Sequence, residues 1–215
     1  CGTGRWCIEM AALFPQANVV GLDITSPPVV EADAPRPANF VFVAGNMLEG
    51  LPFADNSFDF VHQRLVIAAL PTAQWLQQTQ ELLRVTRPGG WVELVEGDSL
   101  TGGPGLQTLN DIGVLFTEKR GMALNNASRI GEYLRLAGAR QVEQRTIRLP
   151  VGKTTGRLGA MAEADYLAII ASVRGYLIVQ GLITEEEHNR AFAQAREELA
   201  SGTLTWPFYV AFGQK

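Results

Sequence analysis

The chain has 215 residues, of which 47% are hydrophobic and 19% are charged, and this composition is typical of a folded globular protein. Its formal net charge of −4 and its lack of a basic stripe argue against a nucleic-acid partner. Its apolar runs fall short of the roughly 20 residues that a membrane-spanning helix needs, which argues against a membrane protein. The two cysteines, Cys1 and Cys7, make neither a disulfide framework nor a metal-ligand set, which indicates a reducing, cytoplasmic setting.

The first hundred residues alternate between helix-like and strand-like patterns. Apolar residues recur at helical spacing after Gly4 and stop at Pro15, and a second helix is predicted from Thr72 to the Pro-Gly-Gly at 88–90. The predicted strands are "ANVVGLD", "NFVFVAGN", "SFDFVHQR" and "WVELVEG", with a Pro-rich loop over residues 25–37. Nearly continuous apolar strands that alternate with helices indicate a parallel sheet covered on both faces.

The second half is more helical. Helices are predicted over about 105–121, 127–137 and 157–201, and Thr184 and Glu187 form a capping box within the last range. The segments "RQVEQRTIRL" and "WPFYVAFGQK" are predicted strands. Since no linker divides the chain, we expect one domain over residues 1–215, with helical cap insertions at about 101–126 and 157–201.

A paired-glycine turn opens the chain. Gly2 and Gly4 stand just before a helix, where glycines let backbone N–H groups approach a carboxylate or phosphate. Asp23 ends the next predicted strand and is suitably placed to accept hydrogen bonds from ribose hydroxyls. The dinucleotide pattern G-x-G-x-x-G requires a third glycine where Cys7 stands, so an NAD-dependent reductase is disfavoured.

Four segments in order resemble the motifs of the class I S-adenosylmethionine-dependent methyltransferases, namely "CGTGRW", "VVGLD", "GNMLEGLPFADNSFDFV" and "LLRVTRPGGWVELVEG". The resemblance implies an α/β, Rossmann-like, doubly wound and mostly parallel sheet with an antiparallel last strand. Family members usually have a central strand before the "CGTG" motif. We therefore expect a chain that lacks this first strand, with a gap in the sheet beside Val19 and Val20.

The resemblance also implies a cofactor site for S-adenosyl-L-methionine. Its predicted residues are Gly2, Thr3 and Gly4 at the amino-acid part, Asp23 at the ribose, Ile24 and Met47 along the adenine, Asn46 at the adenine amino group, and Gln63 near the methionine part. Each has a simpler alternative: a turn for the glycines, a solvated strand end for Asp23, and core packing for Ile24 and Met47.

The sequence contains no obvious catalytic pair. His62 and Glu96 are the candidates for a general base, although their positions favour a structural histidine and a surface carboxylate. Because methyl transfer mainly needs positioning and exclusion of water, the lack of a pair is compatible with it.

The function predicted from the resemblance is methyl transfer to a small, apolar metabolite. The alternative is a cofactor-binding regulatory protein of the same fold that acts through a protein partner. The family's "NPP[YF]" motif for base or amide nitrogens is replaced here by "HQRL", which again argues against a nucleic-acid substrate. The sequence leaves the oligomeric state open.

Overall fold

The computed structural model describes residues 1–25 and 37–215, so most of the predicted Pro-rich loop lies outside the described residues. The described chain divides into two compact units, Cys1–Asp55 and Asn56–Lys215. Its helices are α1 (Arg5–Leu13), α2 (Trp75–Val85), α3 (Pro104–Glu118), α4 (Ile130–Leu136), α5 (Arg157–Val179) and α6 (Glu185–Ala200), and its strands are β1 (Val19–Asp23), β2 (Phe40–Ala44), β3 (Phe58–Arg64), β4 (Thr86–Gly97), β5 (Arg140–Pro150) and β6 (Thr205–Gln214).

The first unit contains α1 and a parallel pair of strands. Strand β1 pairs with β2 in register from Val19 opposite Phe40 to Asp23 opposite Ala44. Cys7 and Ala11 of α1 are buried in a small cluster with Phe40, because they lie on the apolar side of that helix. The carboxyl ends of β1 and β2 therefore emerge at the same edge, directly after Asp23 and Ala44.

The second unit contains a four-stranded sheet in the order β3-β4-β6-β5. Strand β3 is parallel to β4, and β6 is antiparallel to both β4 and β5, as predicted for the last strand. The described strands thus form two separate sheets, and β1 pairs with β2 alone among them.

The helices α3, α5 and α6, which we call the helical cap, are connected to one end of the four-stranded sheet. Residue Pro150 ends β5 opposite Thr205, where β6 begins, so the insertion carrying α5 and α6 leaves and rejoins the sheet at the same edge. The parallel strands β3 and β4 also end at this edge. A continuous core joins the cap to the sheet through buried residues that include Leu100, Leu106, Tyr166, Leu199 and Trp206.

Two local predictions have different outcomes. The capping box of α6 is confirmed, because Thr184 Oγ1 accepts from the Glu187 N–H while the Glu187 carboxylate accepts from the Thr184 N–H. The expected start of the fourth strand at Trp91 is wrong, since β4 already begins at Thr86. Backbone hydrogen bonds join Gly89 and Gly90 to Lys215, although the pairing of β4 with β3 is irregular before Trp91 and Gly89 has a φ of 80°.

No helix in the described part of the chain has the length and apolar character to span a membrane.

Candidate functional site

The glycine turn has the backbone shape that its sequence predicts. Gly2 and Gly4 have φ angles of 56° and 74°, in the left-handed region that favours glycine. The N-cap residue of α1 is Gly4, which has no side chain with which to cap the helix. Together these features form a concave backbone segment at the positive end of a helix, which suits a carboxylate.

Asp23 ties this turn to the end of β1. Its Oδ2 accepts from the Gly2 N–H at 2.6 Å and from the Cys1 nitrogen at 2.8 Å, whereas its Oδ1 accepts only a longer bond from the Thr25 N–H at 3.3 Å. Burial raises the pKa of Asp23, whereas the hydrogen bonds from the Gly2 and Thr25 amides lower it. The carboxylate is therefore ionised at neutral pH, and Oδ1 retains capacity to accept hydroxyl hydrogen bonds.

The other predicted cofactor residues of the first unit lie at the same edge. Ile24 directly follows Asp23 and is 70% exposed, so its side chain is open to a planar ligand. Asn46 caps the short 3-10 helix Met47–Glu49 by accepting from the Leu48 N–H at 3.1 Å, and it donates to Glu49 at 2.8 Å. The second lone pair of Asn46 Oδ1 leaves room for one further donor.

The end of β3 places its two candidate residues on opposite faces of the sheet. His62 Nδ1 lies 2.8 Å from Glu93 Oε1 of the neighbouring strand, in a pair directly opposite in register. Gln63 is 8% exposed, and its Oε1 accepts from Gln78 of α2 at 3.0 Å. The structure therefore places Gln63 beneath α2, and its predicted contact with a cofactor stays a prediction.

Glu96 is the most unusual carboxylate of the second unit. It lies at the carboxyl end of β4 and is 0% exposed. Its Oε1 accepts from the Val66 N–H at 2.9 Å and its Oε2 from the Ile67 N–H at 3.2 Å. Burial raises the pKa of Glu96 to about 7 against the lowering effect of these two bonds. The expectation of a surface carboxylate here is wrong, because both oxygens bind backbone amides in the interior.

Two features of this edge were missed by sequence reasoning. Leu65 follows β3 with φ at 56°, a backbone conformation that is costly for leucine and often occurs at functional sites. Nothing in the local sequence predicts it. Gln78 lies between Trp75 and Leu82 on the buried side of α2, so a polar residue at helical spacing within an apolar stripe was the available signal.

The helical cap of the second unit has a buried side and an exposed side. Of the apolar residues of α5, Ile170 and Leu177 are buried, whereas Ile169 and Tyr176 are about half exposed. Their alternation reflects the helical period of 3.6 residues. The side of α5 that packs against the rest of the unit is therefore the one that carries Ile170 and Leu177.

Comparisons with known proteins show similarity to methyltransferases. Residues 1–90 match a family model described as a methyltransferase domain. The chain is 28% identical to the N-methyltransferase tcpN of Claviceps purpurea, over 98% of this chain and 79% of that protein. It is 32% identical to the N-methyltransferase sirN of Leptosphaeria maculans, over 75% of this chain and 59% of that protein.

One solved structure shows the same fold at low identity. It is a phosphoethanolamine N-methyltransferase of Haemonchus contortus, in complex with phosphomonomethylethanolamine and S-adenosylhomocysteine. The TM-score is 0.56 at 16% identity, with 100% of this chain and 48% of that one covered. The chain thus spans between about half and four fifths of the length of these three proteins.

Proposed function

We propose that this chain, whose residues 1–90 match a methyltransferase domain and whose fold is that of the class I S-adenosylmethionine-dependent methyltransferases, transfers a methyl group from S-adenosylmethionine to a nitrogen atom of a small metabolite. The family and the fold predicted from the sequence motifs are confirmed. The names of the two relatives support nitrogen as the acceptor. The single observation that carries the cofactor assignment is the glycine turn joined to an ionised Asp23.

The residues of the first unit fit the cofactor. The left-handed glycines and the uncapped start of α1 suit its carboxylate. Asp23 Oδ1 is available to the ribose hydroxyls, Asn46 to the adenine amino group, and Ile24 and Met47 to the ring faces. When bound, the cofactor supplies an electrophilic methyl group on a sulfonium, whose positive charge disappears during transfer. The protein's task is then to orient the acceptor in line with that group and to exclude water.

We further propose that the chain acts as one cytoplasmic methyltransferase domain in which the helical cap shapes the acceptor site. Support comes from the connections within the second unit. The chain that carries α3 leaves the sheet at the carboxyl end of β4, and the insertion that carries α5 and α6 leaves and rejoins the sheet at the same edge.

Calorimetric titration of S-adenosylmethionine tests the cofactor site. The Asp23→Ala variant loses a charged acceptor, and hydrogen bonds to charged groups contribute about 1.5–3 kcal/mol each, so we expect affinity to fall at least tenfold. Asp55→Ala removes an exposed aspartate of the same unit and is expected to bind like the original chain. Equal affinity in Asp23→Ala and Asp55→Ala would contradict the assignment.

Turnover distinguishes the enzyme from the alternative. We expect transfer of an isotopically labelled methyl group to members of a panel of amine-containing metabolites, with no transfer to their hydroxyl analogues. Cofactor binding without transfer to any metabolite, together with capture of a protein partner, would favour the regulatory protein instead. Transfer to hydroxyl groups alone would retain the enzyme but refute the nitrogen acceptor.

A further inference from the structure

The segment of residues 65–70 follows β3 and begins two residues after Gln63, for which the family resemblance implies a contact with the methionine part of the cofactor. It begins with Leu65, whose φ of 56° is unfavourable for a residue with a side chain. The Leu65 N–H donates to the Val95 carbonyl at 3.0 Å, which continues the β3–β4 pairing by one residue. The chain must then turn sharply away from the sheet, and such a strained turn persists only where the surroundings hold it.

The side chain of Glu96 is what holds this turn. The next two amides, those of Val66 and Ile67, donate to the two oxygens of the Glu96 carboxylate. Amides bound to an ionised acceptor form stronger hydrogen bonds than amides bound to a neutral one. With the carboxylate 0% exposed, water does not substitute for either bond. The far end of the segment is fixed separately, since Leu70 is fully buried.

We propose that Glu96 is a positioning residue whose carboxylate fixes the backbone of residues 65–70 and thereby makes that segment competent to bind S-adenosylmethionine. Its first half, the fixing of residues 65–70 by Glu96, is independent of the proposed function. Its second half, the binding of S-adenosylmethionine by that segment, rests on the proposed function. Glu96 does not contact the reacting atoms in this role, because both of its oxygens are occupied by the protein's own amides. An isosteric Gln at position 96 offers one acceptor oxygen and turns an NH₂ group toward the other amide, so one of the two bonds is lost.

Hydrogen exchange of the Val66 and Ile67 amides in the full chain tests the first half without any need for activity. In Glu96→Gln we expect exchange at one or both amides to accelerate about tenfold or more, as the loss of a charge-assisted bond implies. Glu143→Gln removes an exposed carboxylate of the same sheet that pairs with Arg145, and its exchange at residues 65–70 is expected to match the original chain. Unchanged exchange in Glu96→Gln would overturn the proposal.

The pH dependence of the original chain gives a second readout that requires no variant to fold. Because the pKa of Glu96 is raised to about 7, protection of the two amides is expected to weaken as pH falls from 8 to 6 and the carboxyl becomes protonated. The group is shifted by burial and by the two amides themselves, and Tyr209 is its directly opposite neighbour on β6. A role in packing alone would leave this protection independent of pH after correction for intrinsic exchange, and that result would refute a role of the ionised carboxylate.

Titration with S-adenosylmethionine tests the second half. We expect Glu96→Gln to bind it at least tenfold more weakly than Glu143→Gln at pH 8. Faster amide exchange with unchanged affinity would overturn the link between the segment and the cofactor. If the original chain itself does not bind S-adenosylmethionine, the proposed function fails, while the exchange data still decide whether Glu96 fixes residues 65–70.

Discussion

The buried carboxyl of Glu96 predicts an unusual dependence of stability on pH. Its pKa in the folded chain is about 7, against an ordinary value of 4.5, so folding favours the protonated form. For a group shifted in this direction, the stabilising contribution is complete below the unfolded pKa and is lost as pH rises through the folded pKa. At 1.36 kcal/mol for each unit of pKa shift, the free energy of unfolding should fall by about 2–3 kcal/mol between pH 5 and pH 8 through this group.

Comparison of the original chain with Glu96→Gln isolates this contribution, because other titrating groups affect both proteins alike. Urea denaturation of both at pH 5 and pH 8 gives the difference in unfolding free energy at each pH. We expect the free energy of unfolding of the variant, relative to that of the original chain, to increase by about 2–3 kcal/mol from pH 5 to pH 8. A difference that does not change with pH would show that Glu96 has an ordinary pKa and would refute the reasoning from burial. Glu143→Gln, at an exposed position, is expected to show no such change.

Three further predictions concern the helical cap. Gly105→Ala places a Cβ 2.5 Å from the Ala195 nitrogen and should destabilise the chain by about 1–3 kcal/mol through overpacking. Gly113 lies in the same helix, but a Cβ added there meets nothing within 4 Å. Gly113→Ala should therefore stabilise the chain by up to about 1 kcal/mol, and thermal unfolding measures both changes. Glu198→Ala removes the carboxylate that accepts from the first-turn amides of α3, at an expected cost of about 1–2 kcal/mol in urea denaturation. Thr184→Ala removes the capping box of α6 and should lower its stability by about 1 kcal/mol. An increase in stability in Gly105→Ala, or no loss in either capping variant, would contradict these assignments.

Local sequence patterns predicted the features whose causes are local. The left-handed glycines before α1 and the capping box at Thr184 and Glu187 depend on residues within one helical turn, and both are confirmed. The start of β4 was missed because the Pro-Gly-Gly segment reads as a break in any single strand. Its place in the strand depends on Lys215, which lies more than 100 residues away in sequence and bonds to Gly89 and Gly90.

The role of Glu96 could not be predicted from the sequence, because it too depends on residues that are distant along the chain. Its position just past an apolar strand predicts a carboxylate at an exposed sheet edge. In the structure the Glu96 carboxylate is instead buried and accepts from the amides of Val66 and Ile67, which lie 30 and 29 positions away in sequence. Burial of a carboxylate against backbone amides leaves no local pattern, since backbone amides are present in every segment except at proline.

The two candidate bases bear on which acceptor fits the chain. His62 is paired with Glu93 across the strands, and both oxygens of Glu96 are bound by amides. Both oxygens of Glu96 are thus engaged, whereas the Glu93 carboxylate orients the His62 ring through Nδ1, as in a His–carboxylate pair. A neutral amine carries its own lone pair and attacks the methyl group before it loses a proton, which then leaves to water. A hydroxyl or an acidic carbon needs deprotonation before or during attack, and therefore a base in hydrogen-bond reach. Under the proposed transfer to nitrogen neither candidate has to act as a base, whereas transfer to oxygen or carbon would require one of them within reach of the acceptor.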